Sequence, residues 1–322
     1  MTVVEAPVTP PTRRRGRISL PDNGYRTILA VMAAVVAALA AWFVVAMVIQ
    51  AKPAFSTLGF SWIVQKTWDP SHGKYGLLPF ILGTIETTAI AVVLAVPIGL
   101  GTAIALAYLV PQRTRAALST TVELLAAVPS VVYGLWGLVV LAPLFRTTVE
   151  PFLTTVFGWT GLFNGPNLGV GLLLAGVILF IMILPTMVAI SRDVLIVVPT
   201  EQVEGAMALG ATRWQVLRKV VVPGARTGLL GAFSLATGRA LGETVAVALV
   251  IGNSPFIAHS IKSPAATIPS LIVNNFGEST GTELAVLFGA GLVLLVIGIA
   301  VNSLARWLVW TTAGSAAGAG TR

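Results

Sequence analysis

Six apolar stretches, near residues 27–50, 79–110, 117–145, 168–190, 225–253 and 284–310, constrain this chain more than any other feature. The first, Thr27 to Ile49, runs for 23 residues. As a helix that is about 35 Å, enough to cross a bilayer. A signal peptide has an apolar core of only about 7–15 residues, so this stretch reads as a retained first span. The second and third stretches exceed the roughly 20 residues a crossing needs. Each is expected to tilt, bend or project beyond the bilayer, with Pro97, Pro129, Pro143 and Pro185 as bend sites. The predicted fold class is an all-α polytopic membrane protein with about six transmembrane helices.

Composition agrees. Only 10% of the 322 residues are charged and 56% are hydrophobic, against about 25% charged in a soluble domain. The absence of cysteine excludes disulfides, thiol catalysis and Cys-based metal sites. His72 and His259 stand alone in expected loops, so no metal site is expected. The formal charge of +8 would suit nucleic acid, but no binding-module signature accompanies it, and membrane orientation accounts for it better. With the N-terminus inside, the outer loops hold Lys52, Lys66, Lys74, Arg146 and Lys262, and Arg239 falls within a span. The other fourteen of the twenty Lys and Arg then lie inside, a clear positive-inside bias.

The expected organisation is a disordered basic cytoplasmic tail over 1–25, containing Arg13-Arg14-Arg15-Gly16-Arg17, and a first span at 26–50. An external loop at 51–78 follows, then a core of five further spans at 79–310 with a cytoplasmic loop at 191–224, and a cytoplasmic tail at 311–322. The outer segments 51–78, 146–167 and 254–283 are rich in Trp, Pro, Gly and Asn. Trp62, Trp68 and Trp159 are expected to anchor at the membrane interface, contact with a partner being the other reading. Gly83, Gly99, Gly101, Gly134 and Gly137 are expected to let helices approach closely.

The 191–224 loop has the chemistry of a helical hairpin that another protein can grip. Thr200 is expected to cap a first helix carrying Glu201 and Glu204 in its opening turns, where the helix dipole favours negative charge. Gly210 suits a left-handed stop. Thr212 and Gln215 have capping-box spacing for a second helix, which Pro223 is expected to close. Gly205, Ala206, Ala208, Gly210 and Ala211 leave a shallow knob that can enter a groove. An ordinary cytoplasmic hairpin is the alternative.

Four ionisable residues lie in or near the spans: Glu86, Glu123, Arg239 and Glu243. A charge at mid-bilayer costs about 2.5–3.5 kcal/mol by insertion scales, so each needs a partner or a wet cavity. Glu86 and Glu123 lie near span ends, within reach of the headgroups. Arg239 and Glu243 are four residues apart and are expected to share one helix face. A guanidinium is planar, permanently charged and suited to oxyanions. Two readings stay open: a pair that passes an anion, or a pair that satisfies itself and locks two helices. The chain has no Gly-x-x-x-x-Gly-Lys-[Ser/Thr] segment and no nucleophile–base constellation.

The 204–223 segment resembles the EAA loop of ABC-importer membrane subunits, with Gly205 for the usual alanine and Val220 and Val222 for the usual isoleucine and leucine. Gly238-Arg239-Ala240-Leu241-Gly242-Glu243-Thr244 resembles the GRALGET segment of phosphate-specific ABC importer permeases. Glu123 to Leu135 is similar to their third-span ELLAGIPSVVYGL stretch, and Gly83-Thr84-x-x-Thr87-Thr88 to the start of the permease core in many ABC importers. The resemblance covers about residues 79–310, and the long tail and first external loop look more like the PstC-type than the PstA-type chain. It implies the type I ABC importer permease fold and a transport subunit, not an enzyme, for inorganic phosphate in the bacterial plasma membrane, where the Lys and Arg count above predicts a cytoplasmic N-terminus. It implies a PstA-type second permease, a PstB-type ATPase dimer that binds ATP and Mg, and a PstS-type external phosphate-binding protein, with no cofactor in this chain. Arg239 and Glu243 become the intramembrane pair for phosphate. Glu204, Gly205, Ala206 and Gly210 become the ATPase-docking loop. Ser130 and Tyr133 become pathway residues, or equally parts of a kinked packing helix. A permease for sulfate or molybdate, a secondary transporter driven by ions, and a membrane scaffold remain as alternatives.

Overall fold

The computed structural model describes residues 22–317. Most of the expected N-terminal tail, and residues 318–322, lie outside the described residues. The chain forms two compact units, Met1–Ala46 and Met47–Arg322. Helix α1 (Asp22–Leu58) occupies the described part of the first and runs on into the second. Its many alanines have high helix propensity, and it stops at Gly59, whose φ is +67°.

Six helical segments are long and apolar enough to cross a membrane: Gly24–Leu58, Leu78–Leu109, Ser130–Thr160, Leu172–Ile196, Arg213–Leu241 and Gly281–Trp307. This is a multi-pass membrane protein. The expected external loop is shorter than predicted at its start, because α1 continues to Leu58. That loop carries a two-stranded hairpin, β1 (Trp68–Asp69) with β2 (Lys74–Tyr75), antiparallel. Trp62 is only 1% exposed and packs among Ala54, Leu77, Phe80 and Leu287. It is a core residue, not an interfacial anchor, because its ring fills the space above Gly289. Trp68 stacks edge-on against Tyr75 and Phe80, whereas Trp159 is 85% exposed.

In the larger unit, α2 (Leu78–Ile104) packs along α7 (Leu172–Ile196). Ala91 and Ala95 of α2 share an apolar cluster with Leu179, Met182 and Ile183 of α7. Between them come α3 (Gln112–Ala126) and α4 (Ser130–Trp136), separated by the break before Pro129. The stretch expected as one span at 117–145 is therefore two elements, and only the second belongs to a span. That span continues through α5 (Ala142–Leu144) and α6 (Glu150–Phe157). Wide π-type turns join the pieces at Gly137–Leu141 and Phe145–Val149, and others lie at Ala105–Leu109 and Leu217–Val221. Each of these four turns ends two residues before a proline: Pro111, Pro143, Pro151 or Pro223. Val110 leaves the helix before Pro111; at the other three the helix continues, and there a widened turn relieves the missing proline donor and its collision with the carbonyl one turn back.

The fifth span is preceded by α8 (Thr200–Ala208) and built from α9 (Arg213–Val216) and α10 (Val222–Leu241). Short α11 (Val245–Val250) follows, then α12 (Ile268–Asn275) and α13 (Gly281–Ala317). The last helix runs past residue 310, so the start of the expected C-terminal tail is helical. A capping box between Thr267 and Ser270 starts α12. The Ile268 amide donates to Thr84 Oγ1 of α2 at 2.9 Å, and at Gly83 any side chain would strike the Ala266 carbonyl. Gly99, Gly134 and Gly137 are likewise close-approach points, but Gly101 faces open space.

Candidate translocation site and coupling hairpin

Arg239 lies in the last turn of α10, and that helix ends at Leu241. Glu243 lies in the unwound step Gly242-Glu243-Thr244 before α11. The two residues therefore do not share one face of a continuous helix, contrary to the expectation from their spacing. Gly242 opens the break and Gly238 lies one turn before it, and both are poor helix formers. Among the described residues no ion pair joins Arg239 to Glu243. The Glu243 carboxylate instead accepts from the Ala246 amide at 3.4 Å, in the first turn of α11. Arg239 is exposed within this chain, and its Nη1 donates to Thr186 Oγ1 of α7 at 3.1 Å.

Ser130 and Tyr133 lie on α4, which packs against α11 through Gly134: a Cβ there would lie 2.9 Å from Ala246 Cα and 2.7 Å from Leu249 Cδ1. Tyr133 is buried, and its hydroxyl donates to the Leu125 carbonyl at 2.8 Å, in the last turn of α3. Ser130 is half-buried at the start of α4. Glu86, on α2, makes no ion pair among the described residues. Glu123 does, bonding Arg192 at 3.4 Å, while Arg192 holds Asp193 more closely at 2.8 Å.

At the far end of α7 the chain turns into the hairpin. Thr200 is the first residue of α8, not its cap; Pro199 occupies that place without a side-chain bond. Proline at the cap sets the entry of the helix, so the threonine is not needed there. Glu201 lies in the first turn, where the helix dipole favours it. Gly210, at φ +85°, ends the helix. Its amide bonds the Met207 carbonyl, and the Ala211 amide bonds the Ala206 carbonyl, the paired closure of a Schellman stop. The Thr212–Gln215 capping box forms as its spacing predicts, with both bonds present. Pro223 does not close the second helix. The Leu217–Val221 wide turn carries the chain past it directly into α10. Glu204 and Gly205 are exposed, Ala206 is half-buried, and Leu209 at the tip is 91% exposed.

One charged cluster escapes sequence reasoning. Lys262, counted above as a loop charge, is 1% exposed. Its Nζ donates to Thr154 Oγ1, the Gly165 carbonyl and Asn167 Oδ1 at 2.8, 3.0 and 2.7 Å. Glu150, also 1% exposed, accepts from the Gly169 amide with both oxygens. Loop position alone carries no signal for such burial.

The comparisons with known proteins fit this geometry. Residues 95–310 match the family model described as the binding-protein-dependent transport system inner membrane component. The chain is 46% identical over 261 residues to the phosphate transport system permease protein PstC of Mesorhizobium japonicum, covering 80% of each chain. It is 41% identical over 292 residues to PstC of Haemophilus influenzae, covering 89% of this chain and 93% of that one. Among solved structures it is similar to a bacterial ABC transporter involved in the import of the acidic polysaccharide alginate. The TM-score is 0.59 at 15% identity, covering 89% of this chain and 98% of that one. It is also similar to the MetNI methionine ABC transporter in an inward-facing conformation, with a TM-score of 0.52 at 19% identity over 76% of this chain and 99% of that one. These likenesses give the type I ABC importer permease fold. The chain belongs to the inner membrane component family of binding-protein-dependent transport systems, in the branch of the PstC proteins.

Proposed function

We propose that this chain is one of two permease subunits in an ATP-driven importer of inorganic phosphate. The observation that carries the reading is Arg239: a permanent cation beside a helix break in a membrane-spanning segment, held by one neutral hydroxyl and not neutralised by Glu243. A guanidinium left in that state has most of its donors available for an oxyanion. The relatives, named as phosphate transport permeases, supply the identity of the anion.

A PstA-type chain completes the pathway. A PstB-type ATPase dimer binds ATP and Mg and receives the exposed tip around Glu204, Gly205, Ala206 and Gly210. A PstS-type external protein delivers phosphate. The positive-inside bias supports a cytoplasmic N-terminus, with the hairpin on the ATP side of the plasma membrane. ATP binding moves the ATPase, α8 transmits the motion into α7 and α10, and the pathway alternates between the two sides. Arg239 and Glu243, with Ser130 and Tyr133 beside them, meet phosphate on the way and leave it chemically unchanged.

Radiolabelled phosphate uptake by proteoliposomes holding all four components tests this. The expected result is ATP-dependent uptake that excess sulfate does not inhibit. No phosphate uptake, from an assembly whose ATPase still answers its binding protein, keeps the permease and discards the cargo.

A further inference from the structure

Threonines inside helices ordinarily return their proton to the carbonyl one turn back. In this chain Thr84, Thr87, Thr102 and Thr237 all do so, at 2.7, 2.7, 2.8 and 2.8 Å. Thr186 does not. Its hydroxyl accepts from Arg239 Nη1 at 3.1 Å and donates to nothing among the described residues. Thr88 also lacks a partner for its hydroxyl, but that oxygen is sealed inside the protein. Thr186 is half-buried and shares its surroundings with the exposed guanidinium.

A hydroxyl carries one donor and two acceptor positions. With one lone pair occupied by the guanidinium, the Thr186 proton is directed elsewhere and is strengthened as a donor by the neighbouring cation. We infer that Thr186 is a substrate-binding residue of the translocation site: its O–H is a second donor to the oxyanion bound at Arg239, and its oxygen fixes the guanidinium plane. The identity of the anion rests on the phosphate reading above. A neutral donor suits a transport site, because it adds a directed bond without adding charge. A site on a pathway must hold its cargo firmly enough to admit it and loosely enough to release it.

The test compares Thr186→Val, which keeps the shape and loses the hydroxyl, with Thr186→Ser, which keeps the hydroxyl. The full assembly is reconstituted and radiolabelled phosphate uptake is read as phosphate moved per ATP hydrolysed. Thr186→Val is expected to lower that ratio about tenfold, the scale of one lost hydrogen bond to a charged group. Thr186→Ser is expected to keep at least about half of it, since the donor remains. If Thr186→Val does not co-purify with its partners, Thr186→Ala is judged by the same criterion. A normal ratio without the hydroxyl overturns the inference, as does a serine variant that fails as badly as the valine one, the mark of a packing role. Arg239→Gln is the control arm. Normal flux there would bring down the anion reading itself, whereas lost flux there beside a normal Thr186→Val would bring down Thr186 alone.

Discussion

Lys262 and Arg239 are both cations with a carboxylate nearby in the chain's architecture, and the fold treats them in opposite ways. Around Lys262 the ammonium is sealed from solvent, and three oxygens match its three donors. Around Arg239 the guanidinium is exposed, and a single hydroxyl meets one of its five donors. In each place the carboxylate bonds a backbone amide and not the cation: Glu150 takes Gly169, and Glu243 takes Ala246. Saturation marks the first cluster as structural, tying α6 to the 161–171 segment and to the loop before α12. The second cluster keeps unused donors, and these are what the proposed function assigns to the oxyanion.

The largest expected effect breaks the saturated cluster. Lys262→Met leaves three oxygens without their donor and Glu150 buried without a nearby cation. A loss of about 3–5 kcal/mol is expected, read as a lowered thermal midpoint in detergent. An unchanged midpoint would remove the structural half of the comparison. Next is Arg239→Lys, which keeps the charge and loses the planar fork. Uptake is expected to fall by about tenfold or more while the thermal midpoint holds; a variant that melts early would make Arg239 a packing residue like its counterpart. Glu204→Lys reverses an exposed charge on α8 and is expected to weaken ATPase co-purification several-fold, on the order of 1 kcal/mol, with membrane insertion intact. Full-rate transport would detach the hairpin from coupling. The smallest effect belongs to Glu123→Gln, whose bond to Arg192 is long and exposed. A change below about 1 kcal/mol is expected, and a larger one would show that this ion pair has been misjudged as peripheral.

Much of this was legible in the chain. Apolar length alone marked the six spans, because a bilayer fixes how many residues a crossing requires. Gly210 and the Thr212–Gln215 spacing foretold the hairpin, because turn and cap chemistry is local. The failures came where a local pattern serves two structures. A spacing of four between Arg239 and Glu243 is the same in a helix and across a break, and flanking glycines suit both packing and unwinding. Pro223 signals the end of a helix, yet a widened turn before it lets the helix continue. Trp62 and Lys262 have the composition of loop residues, and only tertiary packing buries them. The Thr186 hydroxyl was illegible for the same reason: its partner lies on another helix, 53 residues away.

The most direct measurement is radiolabelled phosphate flux through the reconstituted assembly carrying Arg239→Gln, beside the unaltered chain and at equal ATPase content. The account predicts a loss of roughly a hundredfold or more, the scale of a charge-assisted contact removed from a site of passage, with the subunits still co-purifying. Flux equal to that of the unaltered assembly would contradict it and make Arg239, like Lys262, part of the scaffold.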